Sequence, residues 1–305
     1  MGRIDPRLTP FVCLNCGFWQ RHFDVPPDCP VCTDYRHPLP ADGWRFLSAA
    51  EVADSHRTTW REVLDGVWML EAEPAIGIGP AGWFIETEHG NVHWEGAGWT
   101  DDAALDWMAS KGGVRFLAFS HAHVLGSAWR VSERFAPEAV VQNDQLPWAQ
   151  ALAVSWPFGT SAPLADGLSL VHTGGHTPGH TVLHWQARQL VFCGDAFKFK
   201  LDADGRATHV STHKAYDGHI PLSHDDARSY RDTFGALDFD GIVTPWEAVP
   251  EGGKAAAMHL LDVQLADRPT ADWVEIPDGP LPAAAAQNAN VSVAAGRQQA
   301  LHSAL

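Results

Sequence analysis

The chain has 305 residues, 45% of them hydrophobic, which is enough to bury the core of one folded domain and leave a small appendage. Its formal charge of −16 at pH 7 argues against a nucleic-acid partner, because binding to a polyanion requires a basic surface. The first residues lack the apolar segment of a signal peptide, and no run reaches the roughly 18 apolar residues of a membrane span. We therefore expect a cytoplasmic protein with no nucleic-acid or membrane partner.

Residues 1–45 differ from the rest of the chain, because they are rich in cysteine and proline and show little helix or strand periodicity. Two Cys-x-x-Cys pairs lie 12 residues apart, and their members are Cys13, Cys16, Cys29 and Cys32. This spacing suits four thiolates around one structural zinc or one rubredoxin-type iron. Disulfides are the alternative, although thiols stay reduced in the cytosol. We call residues 1–45 the cysteine module and predict a zinc ribbon.

Residues 46–266 alternate short apolar runs with helical patterns, which predicts a layered α/β or α+β sandwich. The predicted strands cover residues 66–70, 82–86, 91–94, 114–119, 139–142, 168–172, 181–185, 190–193 and 241–244. The predicted helices cover residues 101–111, 126–135, 144–152, 224–237 and 253–266. Residues 267–305 form a C-terminal extension, whose alanine-rich composition beyond about residue 275 predicts a partly mobile segment.

Three short motifs in this middle region carry the chemistry. They are Ser120-His121-Ala122-His123, Thr173-Gly174-Gly175-His176-Thr177-Pro178-Gly179-His180-Thr181 and Cys193-Gly194-Asp195. Neutral imidazoles and a carboxylate are ligands for a divalent metal, and loops at strand ends bring such groups together. The predicted ligands are His121, His123, His176 and Asp195.

These motifs, in this order, resemble those of the metallo-β-lactamase fold superfamily over roughly residues 60–260. The first motif in that superfamily is His-x-His-x-Asp-His, and here Leu125 and Gly126 stand at its last two positions. The second motif is Thr-Pro-Gly-His-Thr-x-Gly, matched around His176, and the third is Gly-Asp, matched by Gly194-Asp195. A final histidine is expected near residues 244–247, where the sequence reads Thr-Pro-Trp-Glu.

The resemblance implies an α+β fold of the αββα sandwich type and one catalytic metal rather than two, either Zn²⁺ or Fe²⁺. A hydroxide held on that metal would attack an ester, thioester, lactone or amide carbonyl of a small-molecule substrate. Asp195 would both bind the metal and orient the nucleophile. Superfamily members that oxidise persulfides imply a second hypothesis, a mononuclear iron oxygenase acting on a thiol or persulfide. A third is a non-catalytic protein that binds a partner, and a homo-oligomer is compatible with all three.

Other residues receive weaker assignments. His180 is assigned to catalysis as a residue that orients a metal ligand, or it simply occupies the position where the resembled proteins carry Ser or His. Trp246 is predicted to fill the space of the second metal, with Glu247 as a less favoured ligand or base. His213 and His219 are candidate substitute ligands, against an ordinary surface loop. The remaining predictions are an inert buried thiol at Cys193, solvent-facing amines at Lys198 and Lys200, and structural imidazoles at His89, His93, His172 and His184.

Overall fold

The computed structural model describes residues 5, 7–34, 36, 39–149, 152–215, 220–266 and 272–286. Its strands are β1 Thr9–Cys13, β2 Trp19–His22, β3 Phe46–Ser48, β4 Arg57–Leu64, β5 Val67–Glu73, β6 Gly82–Ile85, β7 Val92–Trp94, β8 Phe116–Ala118, β9 Glu138–Gln142, β10 Val154–Phe158, β11 Ser161–Ala165, β12 Leu168–His172, β13 Thr181–Trp185, β14 Leu190–Phe192, β15 Lys198–Leu201, β16 Ala207–Ser211, β17 Gly241–Val243, β18 Glu247–Val249, β19 Val274–Glu275 and β20 Ala284–Ala285. The α-helices are α1 Ala49–Ser55, α2 Asp102–Ser110, α3 Ala128–Phe135, α4 His224–Ala236 and α5 Gly253–Ala266. None of the described helices is long and apolar enough to cross a membrane.

Two seven-stranded sheets form the centre of the protein. The first has the order β10-β9-β8-β7-β6-β5-β4, and the second has the order β11-β12-β13-β14-β17-β18-β20. Their inner faces pack on each other through large apolar side chains, among them Trp83 and Phe192, whose ring centroids are 6.1 Å apart. Alternating side chains of a strand point to opposite faces, so each sheet has an outer face to cover as well.

Helices cover both outer faces. Leu105 and Met108 of α2 and Val131 of α3 pack over the first sheet, together with side chains of the cysteine module. Tyr230 and Phe234 of α4 pack over the second sheet with residues of α5. The layers are therefore helix, sheet, sheet and helix, which confirms the predicted αββα sandwich.

The cysteine module is a small three-stranded sheet of order β2-β1-β3 packed against the domain. Trp19 of β2 stacks on Trp99 with ring centroids 5.5 Å apart, and its indole N–H donates to the carbonyl of Gly98 at 2.9 Å. The third strand, β3, begins at residue 46, and Ser48 then caps α1 by accepting from the backbone N–H of Glu51. The small sheet thus continues directly into the first helix of the domain.

Several elements differ from the sequence prediction. Residues 143–148 form a 3₁₀ turn rather than the predicted helix, because Pro147 has no N–H to donate within a helix, and residues 150 and 151 lie outside the described part. Strands β10 and β11 were not predicted, since each contains a proline; both lie at sheet edges, where proline is tolerated. Also unpredicted were α1, β4, β15 and β16.

The C-terminal extension is partly built into the fold. Strand β19 pairs with β16, and β20 pairs with β18 at the edge of the second large sheet. The backbone groups of these paired residues are held in two ladders, and the predicted partial mobility of the extension stays a prediction. Residues 287–305 lie outside the described part of the chain.

Candidate metal centre and its supporting residues

Loops from both large sheets meet at the candidate metal centre. His121 and His123 follow β8 of the first sheet, and a short 3₁₀ turn at Ala122–Val124 places them on one side. His176 lies on the loop between β12 and β13, here called the His176 loop (residues 173–180), and Asp195 follows β14. The predicted ligands are thus brought together from three separate points of the chain.

The distances between these groups fit one metal ion. One nitrogen of each of His121, His123 and His176 lies within 4.8 Å of the others, and all three side chains are buried. The Oδ2 atom of Asp195 is 3.5 Å from Nε2 of His121 and 3.5 Å from Nε2 of His176. A tetrahedral ion with bonds of about 2.0–2.1 Å separates its ligand atoms by about 3.4 Å. The centre therefore fits zinc or a similar metal.

A hydrogen-bonded chain orients His121. The hydroxyl of Ser120 donates to Oε1 of Glu95 at 2.5 Å and lies 2.9 Å from Nδ1 of His121. Because its only proton goes to Glu95, Ser120 must accept from Nδ1–H of the imidazole. The lone pair of His121 is then on Nε2, which faces Asp195. An oriented imidazole of this kind is what a metal ligand needs.

His176 is oriented in the same way by a backbone carbonyl. Its Nδ1 lies 2.9 Å from the carbonyl oxygen of His213, which can only accept, so Nδ1 carries the proton and Nε2 the lone pair. The backbone N–H of His176 donates to the hydroxyl oxygen of Tyr230 at 3.0 Å, and that hydroxyl donates to the carbonyl of Gly174 at 3.0 Å. Tyr230 of α4 thereby holds the His176 loop in place.

The Gly-Asp motif is explained by a close approach beneath the centre. Gly194 has φ +52°, and a Cβ atom there would lie 2.3 Å from the Ser120 hydroxyl oxygen and 2.9 Å from Nε2 of His180. A side chain at this position would push away Ser120, which orients His121. Glycine is therefore required next to Asp195 by space as well as by backbone conformation.

His180 lies beside the centre, outside the three-histidine group. Its Nδ1 is 2.7 Å from the Thr173 hydroxyl, and its ring centroid is 5.6 Å from that of His121 and 5.8 Å from that of His176. Nε2 of His180 has no hydrogen-bond partner among the described residues. The role predicted for His180, to orient a ligand or to act in catalysis, remains a prediction.

Burial favours the neutral form of His121 and of His180. It lowers the pKa of His121 and of His180 well below the usual value, and the charge of neighbouring His176 lowers both further. Burial has the opposite effect on an acid and raises the pKa of Glu95 well above its usual range. His121 is therefore held in the form that binds metal.

The positions that carry further ligands in the resembled motif hold none here. A Cβ atom on Gly126 would lie 2.2 Å from the carbonyl oxygen of Gly96, so a histidine does not fit at that position. Leu125 is buried and apolar, and Trp246 is buried with the amine of Lys198 4.3 Å from its ring centroid. These contacts favour a single metal at the three histidines.

The prediction that Lys198 faces solvent is wrong, since its side chain is fully enclosed and packs over Trp246. Lys200 is exposed as predicted. Glu247 is buried near Lys198 and accepts from the Thr244 hydroxyl at 2.6 Å. Burial raises the pKa of Glu247 to about 7, although the charge of Lys198 acts to lower it. The lysine was misassigned because strand β15, which turns its side chain inward, was not predicted.

The four cysteines of the module form a second cluster that fits a metal. All four are buried and free, with Sγ atoms 3.8 Å apart between Cys13 and Cys32 and 3.7 Å apart between Cys16 and Cys29. A tetrahedral zinc with Zn–S bonds of about 2.3 Å separates its sulfurs by about 3.8 Å. Disulfide bonds need about 2.05 Å. The cluster thus has the geometry of the predicted zinc ribbon.

The other histidines have varied surroundings. Nε2 of His172 lies 2.6 Å from the carbonyl of Pro178, and Nε2 of His184 lies 2.8 Å from the carbonyl of Asp238, which confirms their structural roles. His213 supports the centre through its backbone carbonyl and is not part of the three-histidine group. His219 lies outside the described residues. Cys193 is buried as predicted, and burial raises the pKa of its thiol, which disfavours the reactive thiolate.

Sequence reasoning missed three residues that support the centre, namely Arg36, Glu95 and Tyr230. Glu95 lies two residues beyond His93 at the end of β7, and a carboxylate directly after a buried strand is a signal that could have found it. Tyr230 and Arg36 give no such signal, because their partners are 54 and 140 residues away in the chain. Only the packing of α4 and of the cysteine module brings them to the His176 loop.

Comparison with known proteins agrees with this architecture. The family described as the metallo-beta-lactamase superfamily matches residues 77–242, more than half of the chain. The protein therefore belongs to the metallo-β-lactamase superfamily. This confirms the resemblance to that superfamily inferred from the three sequence motifs.

Individual relatives are distant. The uncharacterized protein YmaE of Bacillus subtilis (strain 168) is 25% identical over 221 residues, which cover 70% of this chain and 79% of that protein. Among solved structures, VMB-1 is 15% identical with a TM-score of 0.50, covering 69% of this chain and 97% of that chain. The metallo-β-lactamase FIM-1 from Pseudomonas aeruginosa is 16% identical with a TM-score of 0.48, over 69% of this chain and 97% of that chain. At 15% identity, the likeness to VMB-1 shows the fold alone.

Proposed function

We propose that this protein is a mononuclear metal-dependent hydrolase that acts on an ester, thioester, lactone or amide carbonyl of a small molecule. One observation carries the proposal. His121 and His176 each use Nδ1 in a hydrogen bond within the protein and direct Nε2 toward Asp195. Two imidazoles oriented in this way, with His123 beside them, are prepared to hold a metal before any substrate arrives.

Three histidines and one carboxylate would fill a tetrahedral ion, so water would bind there as a fifth ligand, whereas four cysteines form a closed structural site. A divalent ion held there would supply Lewis acidity and lower the pKa of a water ligand toward neutrality. Asp195 would contribute to catalysis from its place between two histidines, by holding the nucleophile in line with a bound carbonyl. The enclosed residues around it keep the site dry, which strengthens such interactions.

The proposal of one metal rests on Gly126 and Trp246. The backbone of Gly96 excludes a side chain at the first position, and the second holds an indole, which is not a metal ligand. A hydrolase with a single metal lacks the second ion that clamps a leaving phosphate oxygen. Carbonyl substrates are therefore favoured over phosphodiesters.

The first experiment is elemental analysis of protein purified without added metal, on the wild type and on a His121→Ala/His176→Ala variant. We expect the variant to contain one metal fewer per chain, with zinc as the metal lost. Esters, thioesters and lactones are then tested as substrates of both proteins, and hydrolysis by the wild type alone supports the proposal. If the three-histidine centre of the wild type binds no metal, or if the variant hydrolyses the same substrates equally well, the proposal is wrong.

A second candidate function is a mononuclear iron oxygenase acting on a thiol or persulfide. The observation that favours it is the pairing of Asp195 with both His121 and His176 at 3.5 Å, since two histidines and one carboxylate are the ligand set of many Fe²⁺ oxygenases. Iron rather than zinc in the elemental analysis, together with oxygen uptake in the presence of a thiol, would favour this function over hydrolysis.

A further inference from the structure

A charged residue of the cysteine module reaches the metal centre of the domain. Arg36 follows Cys32 by four residues, and its Nη1 donates to the backbone carbonyl of His176 at 2.6 Å. The arginine is almost completely buried, at 9% exposure. A buried guanidinium is costly unless its donors are used, so this contact requires an explanation.

The guanidinium is held rigidly in place by Asp34. Nε and Nη2 of Arg36 donate to the two carboxylate oxygens of Asp34 at 2.9 and 2.7 Å, and the backbone N–H of Arg36 donates to the same carboxylate at 3.0 Å. A two-pronged pair of this kind fixes the plane of the guanidinium. The remaining nitrogen, Nη1, is then directed at the His176 loop.

The position of this pair depends on the four cysteines. The turn that carries it begins inside the second Cys-x-x-Cys pair, where the N–H of Thr33 donates to the carbonyl of Cys29 and the N–H of Asp34 donates to that of Val31. The amide of Asn15 donates to the sulfur of Cys32 at 3.3 Å and joins this turn to the first pair. A metal that closes the cluster would therefore also fix Asp34 and Arg36.

With this contact, the backbone N–H, the ring Nδ1 and the backbone carbonyl of His176 each have a hydrogen-bond partner. Its N–H donates to Tyr230, its ring Nδ1 donates to the carbonyl of His213, and its carbonyl accepts from Arg36. The first two supports belong to the catalytic domain, and the third comes from the module. Loss of the third frees the peptide that links His176 to the rest of its loop.

Two other contacts join the module to the domain at different places. Trp19 donates to the carbonyl of Gly98, and Arg21 forms an ion pair with Glu133 of α3. Neither partner belongs to the His176 loop. Arg21 therefore offers a matched control for Arg36, because it is also an arginine of the module whose side chain contacts the domain, through its ion pair with Glu133.

We propose that Arg36 is a positioning residue for His176, and that through it the metal of the four-cysteine cluster controls how tightly the three-histidine centre binds its own metal. The module is then a regulatory part of the centre, and a reagent that strips or oxidises its thiols would weaken metal binding at the histidines. The inference rests on the metal centre of the proposed function, but it does not depend on the reaction that the centre performs.

The test compares Arg36→Met with Arg21→Met in the full chain loaded with Zn²⁺ at both sites. Affinity of the three-histidine centre is measured by competition with a chelator, and Co²⁺ substitution separates the two sites, because thiolate-bound cobalt has its own charge-transfer absorption. We expect about 10-fold weaker binding in Arg36→Met, the effect typical of removing a group that orients a metal ligand. The four-cysteine site should stay loaded, and Arg21→Met should match the wild type. Equal affinity in Arg36→Met and wild type would overturn the inference.

A double-mutant cycle tests the route of the coupling. The Cys29→Ser/Cys32→Ser variant should weaken the three-histidine centre by at least the factor seen in Arg36→Met, and adding Arg36→Met to it should cause no further loss. Losses that multiply would show that Arg36 acts independently of the cluster, which overturns the coupling. If the cysteine variant does not fold, Arg36→Met with its intact cluster still decides the role of Arg36.

The two proposals fail in different ways. Metal affinity that depends on Arg36 in a protein that hydrolyses none of the tested substrates would leave the coupling standing and remove support for a hydrolase. If the protein hydrolyses a tested substrate and its metal affinity is the same in Arg36→Met and wild type, the hydrolase proposal stands and the coupling is overturned.

Discussion

The four-cysteine cluster and the three-histidine centre hold metal in opposite ways. The cysteines lie within 20 residues of one another, and their four sulfur atoms all lie within 4.8 Å of one another. The histidines and Asp195 come from three segments that span residues 121–195, and each is positioned by the end of a strand and by buried partners. We expect the module to need a metal in order to fold, whereas the centre needs the fold to bring its ligands together. Closed coordination suits the first role, and open coordination suits the second.

The largest expected effect follows from removing both metals with a strong chelator. Metal binding to four cysteines contributes about 10–16 kcal/mol near pH 7, more than a small module can replace by packing. We expect hydrogen exchange to become fast in β1, β2 and β3 and to stay slow in β5 and β6 of the domain. Slow exchange in the metal-free module would mean that contacts such as Trp19 with Trp99 suffice to fold it, and the contrast between the two regions would be lost.

The His121→Ala variant tests whether the cysteine cluster keeps its metal when the three-histidine centre is lost. We expect the variant to lose the metal of the three-histidine centre completely and to keep the metal of the cysteine cluster, because the two groups of ligands share no residue. Metal content per chain measures this directly, and the exposed His89→Ala serves as control. Loss of both metals together would contradict the separation of the sites.

The unfolding free energy of the metal-free protein should depend on pH through buried His93. Burial lowers the pKa of His93 in β7 to about 4, whereas the unfolded chain has about 6.5. The unfolded state therefore binds more protons between these values, and the unfolding free energy falls as the pH falls through this window, by about 3 kcal/mol. Denaturant unfolding of metal-free protein at several pH values should show a shallower fall in His93→Gln. A fall of equal size in wild type and variant would exclude His93 as its source.

The Ser120→Ala variant tests how much the Ser120 hydroxyl contributes to orienting His121. The substitution removes the hydroxyl between Glu95 and His121 and leaves the ring free to turn, so metal binding at the centre should weaken by about 10- to 100-fold. Chelator competition measures the change. Ser127→Ala is the control, because that serine is also buried but bonds to the carbonyl of Ala97. A decrease of the same size in both variants would point to a general loss of stability instead.

Tyr230→Phe should have the smallest effect. It keeps the ring but deletes the hydroxyl between the N–H of His176 and the carbonyl of Gly174, which costs about 1–3 kcal/mol of stability when both groups stay buried. Metal affinity should fall by several-fold, since Arg36 and the carbonyl of His213 still hold His176. A larger loss than in Ser120→Ala would show that Tyr230, rather than the ring partners, dominates the orientation of the loop.

Much of the domain could be predicted from sequence because its helices and inner strands have clear periodicity. The helix predicted over residues 101–111 forms as Asp102–Ser110, and the strand predicted over residues 66–70 forms as the longer Val67–Glu73. The edge strands were missed because proline and polar residues interrupt the pattern, and Lys198 was misassigned as a consequence. The four cysteines and the three histidines were found as groups because their residue types and spacing are rare in chains without metal.

The sequence by itself determined the family, the layered fold and the residues that meet at each metal site, because motif order and hydrophobic period are local properties of the chain. Tertiary structure alone decided how these residues are held. Glu95 reaches His121 through Ser120, Tyr230 fixes the His176 loop, and Arg36 joins the cysteine module to that loop. The physical reason is distance along the chain, since a hydrogen bond between residues up to 140 positions apart leaves no pattern in a single sequence.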